Sequence, residues 1–184
     1  MDKTFYITTP IYYPSARPHM GHAYSSIIAD FFARFKKIDD YDVHFLTGTD
    51  EHGLKIQRSA EKAGQDPLKF CDQISETFRN LSETLNLSNT DFIRTTEDRH
   101  LKSVQNLWNI LEKNKNIYLS KYSGWYSVSD EAYYSEDEIS TKEGVKVSIS
   151  SGSEVEWVEE ESYFFNLSKW QNKLLDYYEK NPDF

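Results

Sequence analysis

The order of strand-like and helix-like segments in residues 1–115 constrains the fold of this 184-residue chain more than any other feature. Three short segments rich in β-branched and aromatic residues, "TFYITTP", "YDVHFLTGT" and "DFIRT", are typical of β-strands. Longer segments with apolar residues at helical spacing lie between and after them, which gives the order β-α-β-α-α-β-α. Strands separated by helices pair in parallel through right-handed crossovers, so the sequence predicts an open α/β sheet.

The segment "HAYSSIIADFFARFKKI" predicts the first helix, and it repeats large apolar residues at helical spacing: Ile27, Ile28, Phe31, Phe32, Phe35 and Ile38. Residues typical of helix starts precede three later helices. Asp66 is followed by Pro67, Thr96 is followed by acidic residues, and Ser168 precedes the last predicted helix. We expect these three side chains to cap the helices that follow them.

The pattern changes near residue 116, where short segments typical of antiparallel strands replace the alternation of strand and helix. We therefore predict two domains, residues 1–115 as half of a nucleotide-binding fold and residues 116–184 as a small mixed β/α insertion. In open α/β sheets a ligand binds beyond the carboxyl ends of the strands, where the strand order reverses. Three strands supply only half of such a site.

Composition and charge exclude several classes of protein. The single cysteine, Cys71, cannot form an internal disulfide, the first residues lack the pattern of a signal peptide, and no run of 18 apolar residues is present. These features predict a soluble cytoplasmic protein that does not enter a membrane. Residues 125–162 hold eleven acidic residues and two lysines and so carry the whole net charge of −9. Such a segment repels phosphates, so bulk charge gives no argument for nucleic-acid binding.

The loop "PIYYPSARPHMGH" concentrates titratable side chains between the first strand and the first helix. Unpaired backbone N–H groups and the helix dipole at such a position favour a phosphate. His19 and His22 lie three residues apart, so both imidazoles can donate to one phosphate, and Gly21 leaves space for a nucleotide. The same pair could instead cap the helix, or bind a metal together with Asp50 and His52.

The motif His19-Met20-Gly21-His22 resembles the nucleotide-binding motif of class I aminoacyl-tRNA synthetases and their nucleotidyltransferase relatives. The stretches "ITTPIYYPSARPHMGHAYSSIIADFFARF", "FLTGTDEHG" and "DFIRTTEDRH" are similar to the methionyl-tRNA synthetase family. "GWYSVSDEAYYSEDEI" and "SYFFNLSKW" extend the resemblance through nearly the whole chain. In that family these stretches form only the N-terminal part, which is the first half of a Rossmann-like catalytic fold and a connective insertion.

The resemblance implies a methionine–tRNA ligase whose partners are methionine, ATP with Mg²⁺, and tRNA. The methionine carboxylate would attack the α-phosphate of ATP, pyrophosphate would leave, and the adenylate would be passed to tRNA. Alignment of the reactants and charge stabilisation on the phosphates would supply the rate. His19 and His22 would be the phosphate donors, and Gly21 would leave room for the adenosine.

The resemblance also implies a methionine site formed by Asp50, Ile11 and Tyr13. Asp50 would pair with the ammonium group, and Ile11 and Tyr13 would line the pocket for the thioether side chain. An acid just past the second strand lies at the same edge of the sheet as the first loop, which fits this assignment. Asp50 could instead cap the helix that follows it, and Tyr12 is more readily a packing residue.

The sequence departs from the family pattern in two places. Many relatives open a zinc knuckle in the insertion with a Cys-x-x-Cys pair, and the matching positions here are Ser127 and Asp130. Hydroxyl and carboxylate groups do not form the thiolate-rich site that zinc prefers, so we expect no structural zinc. The family's lysine-rich loop, the rest of its methionine pocket and its anticodon-binding domain do not occur in these 184 residues. We therefore expect a fragment with little or no activity alone.

Two other interpretations stay open. The chain could belong to another class I synthetase, for isoleucine, leucine, valine or cysteine, although "TPIYYPSARPHMGH" together with "TGTDEHG" favours methionine. It could also be a truncated, non-catalytic synthetase-like module that acts by binding. The oligomeric state is not indicated by the sequence.

Overall fold

The computed structural model describes residues 3–183. The chain divides into two compact units, Met1–Lys102 and Ser103–Phe184. This division follows the packing of the backbone, whereas the boundary near residue 115 follows a change in the sequence pattern. The assignment of residues 1–115 and 116–184 to a catalytic half and an insertion stays a prediction.

The first unit is built on a sheet of three parallel strands, β1 (Thr4–Thr8), β2 (Asp42–Thr49) and β3 (Asp91–Arg94). Their order in the sheet is β1-β2-β3, so β2 is central, and its Phe45 is fully buried opposite Ile7 of β1. The predicted parallel α/β sheet is confirmed.

Helices alternate with these strands in the predicted order: α1 (Met20–Ile38), α2 (Leu54–Lys62), α3 (Pro67–Thr84) and α4 (Asp98–Lys113). The Asp66 carboxylate accepts the backbone N–H groups of Leu68 (3.1 Å) and Lys69 (3.2 Å), which confirms the predicted cap of α3. Within residues 3–183, the helices are too short or too polar to cross a membrane.

The two other predicted helix caps are wrong. Helix α4 begins at Asp98, and the Thr96 hydroxyl group donates to a carboxylate in the loop after β2 instead. Ser168 lies inside a 3₁₀ turn, and the helix that follows it, α5 (Gln171–Lys180), has Trp170 at its N-cap. A neighbouring turn therefore moves the helix start by one residue after Thr96 and by two residues after Ser168.

Helix α1 packs on the sheet through small side chains. Ala29 and Ala33 are buried against Val43 and Phe45 of β2. The large apolar residues of the predicted stripe are exposed instead, at fractions between 41% and 83%: Ile27, Ile28, Phe31, Phe32, Phe35 and Ile38. The apolar spacing therefore identifies the helix correctly, but small residues form its contact with the sheet because they allow a close approach.

The second unit contains an antiparallel sheet with β4 (Ile117–Ser127) at its centre. β5 (Ala132–Tyr134) pairs with one edge of β4 and β8 (Glu156–Phe165) with the other. A separate hairpin joins β6 (Ile139–Lys142) to β7 (Val145–Ser148). The antiparallel pattern expected for this part of the chain is confirmed.

Candidate functional site

The loop after β1 and the loop after β2 meet at the carboxyl edge of the sheet. The Thr9 N–H donates to the Leu46 carbonyl oxygen (3.2 Å) and the Tyr12 N–H to that of Gly48 (3.0 Å), so the first loop continues alongside β2. The Asp50 N–H in turn donates to the Tyr12 carbonyl oxygen (2.8 Å). Backbone hydrogen bonds thus join the two loops in which the candidate residues lie.

Tyr12 connects the first loop to the start of α1. Its side chain is 5% exposed and stacks on Phe78, with 5.4 Å between the ring centroids. Its hydroxyl group donates to the His22 carbonyl oxygen (3.2 Å) and shares a hydrogen bond with the Ser26 hydroxyl group (2.7 Å). The expected packing role of Tyr12 is confirmed, and its hydroxyl group also ties the first loop to the first turn of α1.

The two histidines of the motif form a reciprocal cap at the N-terminus of α1. The Nδ1 atom of His19 accepts from the Gly21 N–H (3.1 Å), and the Nδ1 atom of His22 accepts from the His19 N–H (3.0 Å). A neutral imidazole that accepts at Nδ1 carries its proton on Nε2. The cap therefore occupies the Nδ1 atom of each ring. The Nε2 atom of each ring carries the proton and can donate it to a ligand in a hydrogen bond.

Partial burial and the neighbouring ring favour the neutral form of His22. The centroids of His19 and His22 are 3.9 Å apart. Partial burial, and after it the charge of His19, lowers the pKa of His22. His22 can therefore offer a neutral Nε2–H donor near pH 7.

Gly21 is required by the geometry of this pair. A Cβ atom at position 21 would lie 2.9 Å from Cε1 of His19, so the imidazole would have to move. The absence of a side chain thus preserves the cap, whether or not a nucleotide lies nearby. Space for the adenosine at this position stays a prediction.

The loop after β2 carries Asp50, which is half-buried. Helix α2 begins at Leu54 and its N-cap is Gly53, so Asp50 does not cap this helix. The Tyr13 hydroxyl group donates to the His52 carbonyl oxygen at 2.8 Å. Side-chain and backbone contacts therefore hold Tyr13 and the Asp50 loop together, as a shared site requires.

Ile11 lies in the same loop as Tyr13, two residues before it. It is 48% exposed and borders a small, mainly apolar cavity of about 180 Å³. The cavity is lined by Thr8, Thr9, Ile11, Leu46, Thr47, Gly48 and Ile93. Tyr13 and Asp50 are not among the described residues that line it. The grouping of the three candidate residues in one methionine pocket stays a prediction.

The metal alternative for the histidines is not supported by the geometry. Among residues 3–183, no three His, Cys, Asp or Glu side chains lie together so that they could hold a metal ion. The Nε2 atom of His52 lies 3.3 Å from the Thr95 carbonyl oxygen. His19, His22, Asp50 and His52 therefore do not form the metal site considered above.

Glu51 is a buried carboxylate to which the sequence analysis gave no role. It accepts from both Nε (2.7 Å) and Nη2 (2.9 Å) of Arg94, and from the hydroxyl groups of Thr49 (2.7 Å), Thr96 (2.5 Å) and Ser75. Burial raises the pKa of Glu51, but the hydrogen bonds from these four side chains outweigh it and lower the pKa to about 2. The carboxylate is therefore ionised at neutral pH.

The ion pair of Glu51 and Arg94 has a signal in the sequence, because both residues lie at the carboxyl ends of predicted strands. Arg94 is the last residue of β3, and Glu51 follows Thr49, the last residue of β2. The carboxyl ends of neighbouring parallel strands lie at one edge of the sheet, so opposite charges at these positions can pair. The missing information was the strand order, which sequence pattern alone does not fix.

Two turns of the second unit, residues 127–130 and 148–151, have the same local hydrogen bonding. The Ser127 hydroxyl oxygen accepts the Asp130 N–H (3.4 Å), and the Ser148 hydroxyl oxygen accepts the Ser151 N–H (3.3 Å). Both first serines are fully buried. The positions that sequence analysis compared with a zinc knuckle are thus ordered by serine hydroxyl groups.

The Asp130 carboxylate joins these two turns. It accepts hydrogen bonds from the hydroxyl groups of Tyr134 (2.8 Å), Ser153 (2.8 Å) and Ser151. The hydrogen bonds from Ser151, Tyr134 and Ser153 lower the pKa of Asp130. Because the oxygen atoms bind one another and thiolates are lacking, these residues do not fit the tetrahedral site that zinc requires.

Comparisons with known proteins show what the chain is similar to. The family described as tRNA synthetases class I (M) matches residues 5–144. The chain is 54% identical to a methionine–tRNA ligase of Rickettsia conorii over all 184 residues, and 52% identical to that of Brucella suis over 181 residues. A structure of Mycobacterium tuberculosis methionyl-tRNA synthetase with methionyl-adenylate superposes on 99% of the chain, with a TM-score of 0.90 and 47% identity. The chain spans 35% of each of the two ligases and 36% of the solved chain.

Proposed function

Because the chain belongs to the class I tRNA synthetases (M), we propose that it forms the part of a methionine–tRNA ligase in which ATP and methionine first meet. A carboxylate oxygen of methionine bonds to the α-phosphorus of ATP, and the bond from that phosphorus to pyrophosphate breaks. The methionyl group then passes from the adenylate to tRNA. The observation that carries the proposal is the pair of capped imidazoles at the start of α1, beside the loop after β2.

The ATP end of the proposed site lies at the first turn of α1. The Nε2–H groups of His19 and His22 donate to phosphate oxygens and stabilise the charge that grows on the leaving pyrophosphate. Their reciprocal cap orients both rings before ATP arrives, so little reorganisation is needed. The adenosine lies against the backbone at Gly21, and Mg²⁺ enters bound to the phosphates of ATP.

The methionine end of the proposed site lies in the loop after β2. The Asp50 carboxylate pairs with the ammonium group of methionine. Tyr13 is held at this loop by its hydrogen bond to the His52 carbonyl oxygen and contributes a wall for the thioether. Ile11 contributes an apolar surface that the remainder of the full-length enzyme completes.

The remaining assignments concern the activity of the isolated chain, tRNA binding, location and zinc. The 184-residue chain covers about a third of its relatives, so we propose little or no ligase activity for it in isolation. Binding of tRNA belongs to the full-length protein. A cytoplasmic location, and an insertion that folds without zinc, complete the proposal.

The experiment that tests substrate identity is ATP–pyrophosphate exchange with a panel of amino acids. It is run on the 184-residue chain and on a full-length protein that contains it. We expect methionine-dependent exchange by the full-length protein and almost none by the chain. Exchange that depends on leucine, isoleucine, valine or cysteine would assign another class I specificity, and no exchange by either protein would favour a binding module.

Replacement of one imidazole tests the observation that carries the proposal. In the full-length protein, His22→Ala should slow methionine-dependent exchange by about 10²–10³-fold, as expected for the loss of one preorganised donor. His44→Ala is the matched control, because His44 is an exposed histidine of β2 that stacks on Tyr6. Near-normal exchange by His22→Ala would remove this histidine from the mechanism.

A further inference from the structure

The side chains of Thr49, Glu51, Ser75, Arg94 and Thr96, here called the Glu51 cluster, have no part in the chemistry proposed above. The Glu51 side chain has no exposed surface and receives five hydrogen bonds from the other four side chains. A charge removed from water and held by a forked arginine cannot move without losing most of its stabilisation. The cluster is therefore a rigid point in the first unit.

The cluster fixes the loop after β2 to the elements around it. Ser75 belongs to α3 and Arg94 is the last residue of β3. Glu51 therefore connects the loop after β2 to one helix and one strand. Arg94 is itself held by a second carboxylate, because its Nη2 also donates to Asp72 Oδ1 of α3 at 2.6 Å. Displacement of Glu51 would thus require movement of a helix or a strand.

Hydrogen bonds also hold the backbone of Glu51. Its N–H donates to the Thr95 hydroxyl oxygen at 2.8 Å, and its carbonyl oxygen accepts the Cys71 thiol at 3.7 Å. Exposure alternates along the loop, since Glu51 is buried, Asp50 is half-buried and His52 is exposed. Because Glu51 is held in the interior, Asp50 and His52 on either side of it are closer to the surface.

We infer that Glu51 is a positioning residue for the methionine site, acting through Asp50 and through the His52 carbonyl oxygen that holds Tyr13. The inference rests on the proposed function, which assigns the ammonium group to Asp50 and a wall of the pocket to Tyr13. Glu51 itself touches no substrate, because it lies beneath the loop. Its effect is to set where the Asp50 carboxylate and the Tyr13 ring lie before methionine binds.

The position of the cluster determines which substrate it affects. Its direct contacts reach the loop after β2, α3 and β3, whereas the cap formed by His19 and His22 lies at the start of α1. Disturbing Glu51 should therefore weaken methionine binding more than ATP binding. A purely structural role would lower the activity and stability of the enzyme without this difference between substrates.

The test is pyrophosphate exchange by the full-length protein with Glu51→Gln. The glutamine has the same shape, but it is neutral, and its amide nitrogen cannot accept from Arg94 or the hydroxyl groups. We expect the KM for methionine to rise about tenfold or more, as when a group that orients a ligand is removed. The KM for ATP should stay within about twofold of its original value.

Glu76→Gln is the matched control, since it makes the same chemical change at an exposed position of α3, one residue from Ser75. Both KM values should be unchanged in this variant. Thr96→Val is the second test variant, because it removes a single donor to Glu51 and nearly preserves side-chain size. It should raise the KM for methionine by a smaller factor than Glu51→Gln does. If Glu51→Gln does not fold, Thr96→Val is measured in its place.

Three results would overturn the inference. The first is an unchanged KM for methionine in folded Glu51→Gln and Thr96→Val proteins. The second is an equal rise of the KM values for methionine and ATP, which indicates a structural role only. The third is the absence of methionine-dependent exchange by the unmodified full-length protein, which would refute the proposed function itself and is thereby distinguishable from the other two.

Discussion

Each of the two units contains a carboxylate that gathers hydroxyl groups from separate chain segments, and the two carboxylates differ in burial and in charge balance. Glu51 is fully buried and is paired with Arg94. Asp130 is partly exposed, and none of the ion pairs among residues 3–183 involves it. The hydroxyl donors are Thr49, Ser75 and Thr96 for the first and Tyr134, Ser151 and Ser153 for the second.

The difference shows what burial requires of an ionised group. A carboxylate without access to water is stable only when a cation and well-aligned donors replace the lost hydration. A carboxylate that keeps water nearby can order hydroxyl groups without a cation. The first arrangement fixes a loop of the candidate active site, and the second joins two turns at the place where relatives are expected to hold zinc.

The largest effect should follow from removing the cation of the first cluster. Arg94→Ala leaves Glu51 buried and unpaired, so we expect the first unit to lose about 3–5 kcal/mol of unfolding free energy. Hydrogen exchange of the β2 amides measures this loss. Tryptophan fluorescence does not, because Trp108, Trp125, Trp157 and Trp170 all lie in the second unit.

Arg99→Ala is the control for this prediction. Arg99 also pairs with two carboxylates, Asp91 and Glu97, but its side chain is 50% exposed. Water can hydrate Asp91 and Glu97 once Arg99 is removed, so the loss of unfolding free energy should be much smaller than in Arg94→Ala. Equal losses in the two variants would show that burial does not distinguish the two kinds of ion pair.

The stability of each unit should depend on pH through its own carboxylate. The pKa of Glu51 falls from 4.5 to about 2 on folding, so its contribution to stability is complete above about 4.5 and is lost as the pH falls towards about 2. The pKa of Asp130 is also lowered, so its contribution is likewise lost on acidification, starting near its ordinary value of 3.8. Hydrogen exchange of β2 and tryptophan fluorescence follow the two units separately.

The matching variants assign the two acid responses. Glu51→Gln should make the first unit less sensitive to acid and leave the response of the second unit unchanged. Asp130→Asn should do the reverse. A change in both responses with either variant would mean that the two units do not unfold independently, and the comparison would then fail.

A smaller effect should follow from neutralising the second carboxylate at neutral pH. In Asp130→Asn the amide nitrogen cannot accept from Tyr134, Ser151 and Ser153, so the urea midpoint seen by tryptophan fluorescence should fall. The fall should be smaller than the loss caused by Arg94→Ala, because Asp130 is partly hydrated. Asp176→Asn, at an exposed position of α5, should leave the midpoint unchanged.

The smallest effect should come from a metal chelator. If hydroxyl groups order the turns at Ser127 and Ser148 without zinc, EDTA should not change the urea midpoint of the second unit. Elemental analysis of the purified protein should also find no stoichiometric zinc. One tightly held equivalent would overturn the view that Asp130 joins these turns in place of a metal.

Local patterns predicted much of the first unit. The strands, the helices and the cap at Asp66 depend on neighbouring residues, so periodicity and capping rules were sufficient to find them. The meeting of the first loop with the Asp50 loop followed from a rule for parallel sheets. The caps predicted at Thr96 and Ser168 failed because adjacent turns compete with the helix start.

The packing of the elements could not be predicted in the same way. The apolar spacing in α1 marked a helix, but Ala29 and Ala33, not the large apolar residues, contact the sheet. The relation between Glu51 and Arg94 depends on the order β1-β2-β3, which joins residues 43 positions apart.

The sequence by itself determined the elements, the family and the positions of the candidate side chains along the chain. Each of these depends on patterns among residues that are close together in the sequence. Only the tertiary structure decided which carboxylate is buried and which hydroxyl groups surround it. These outcomes depend on hydrogen bonds between distant segments and on the exclusion of water between them. Both arise only when the strands and helices have packed.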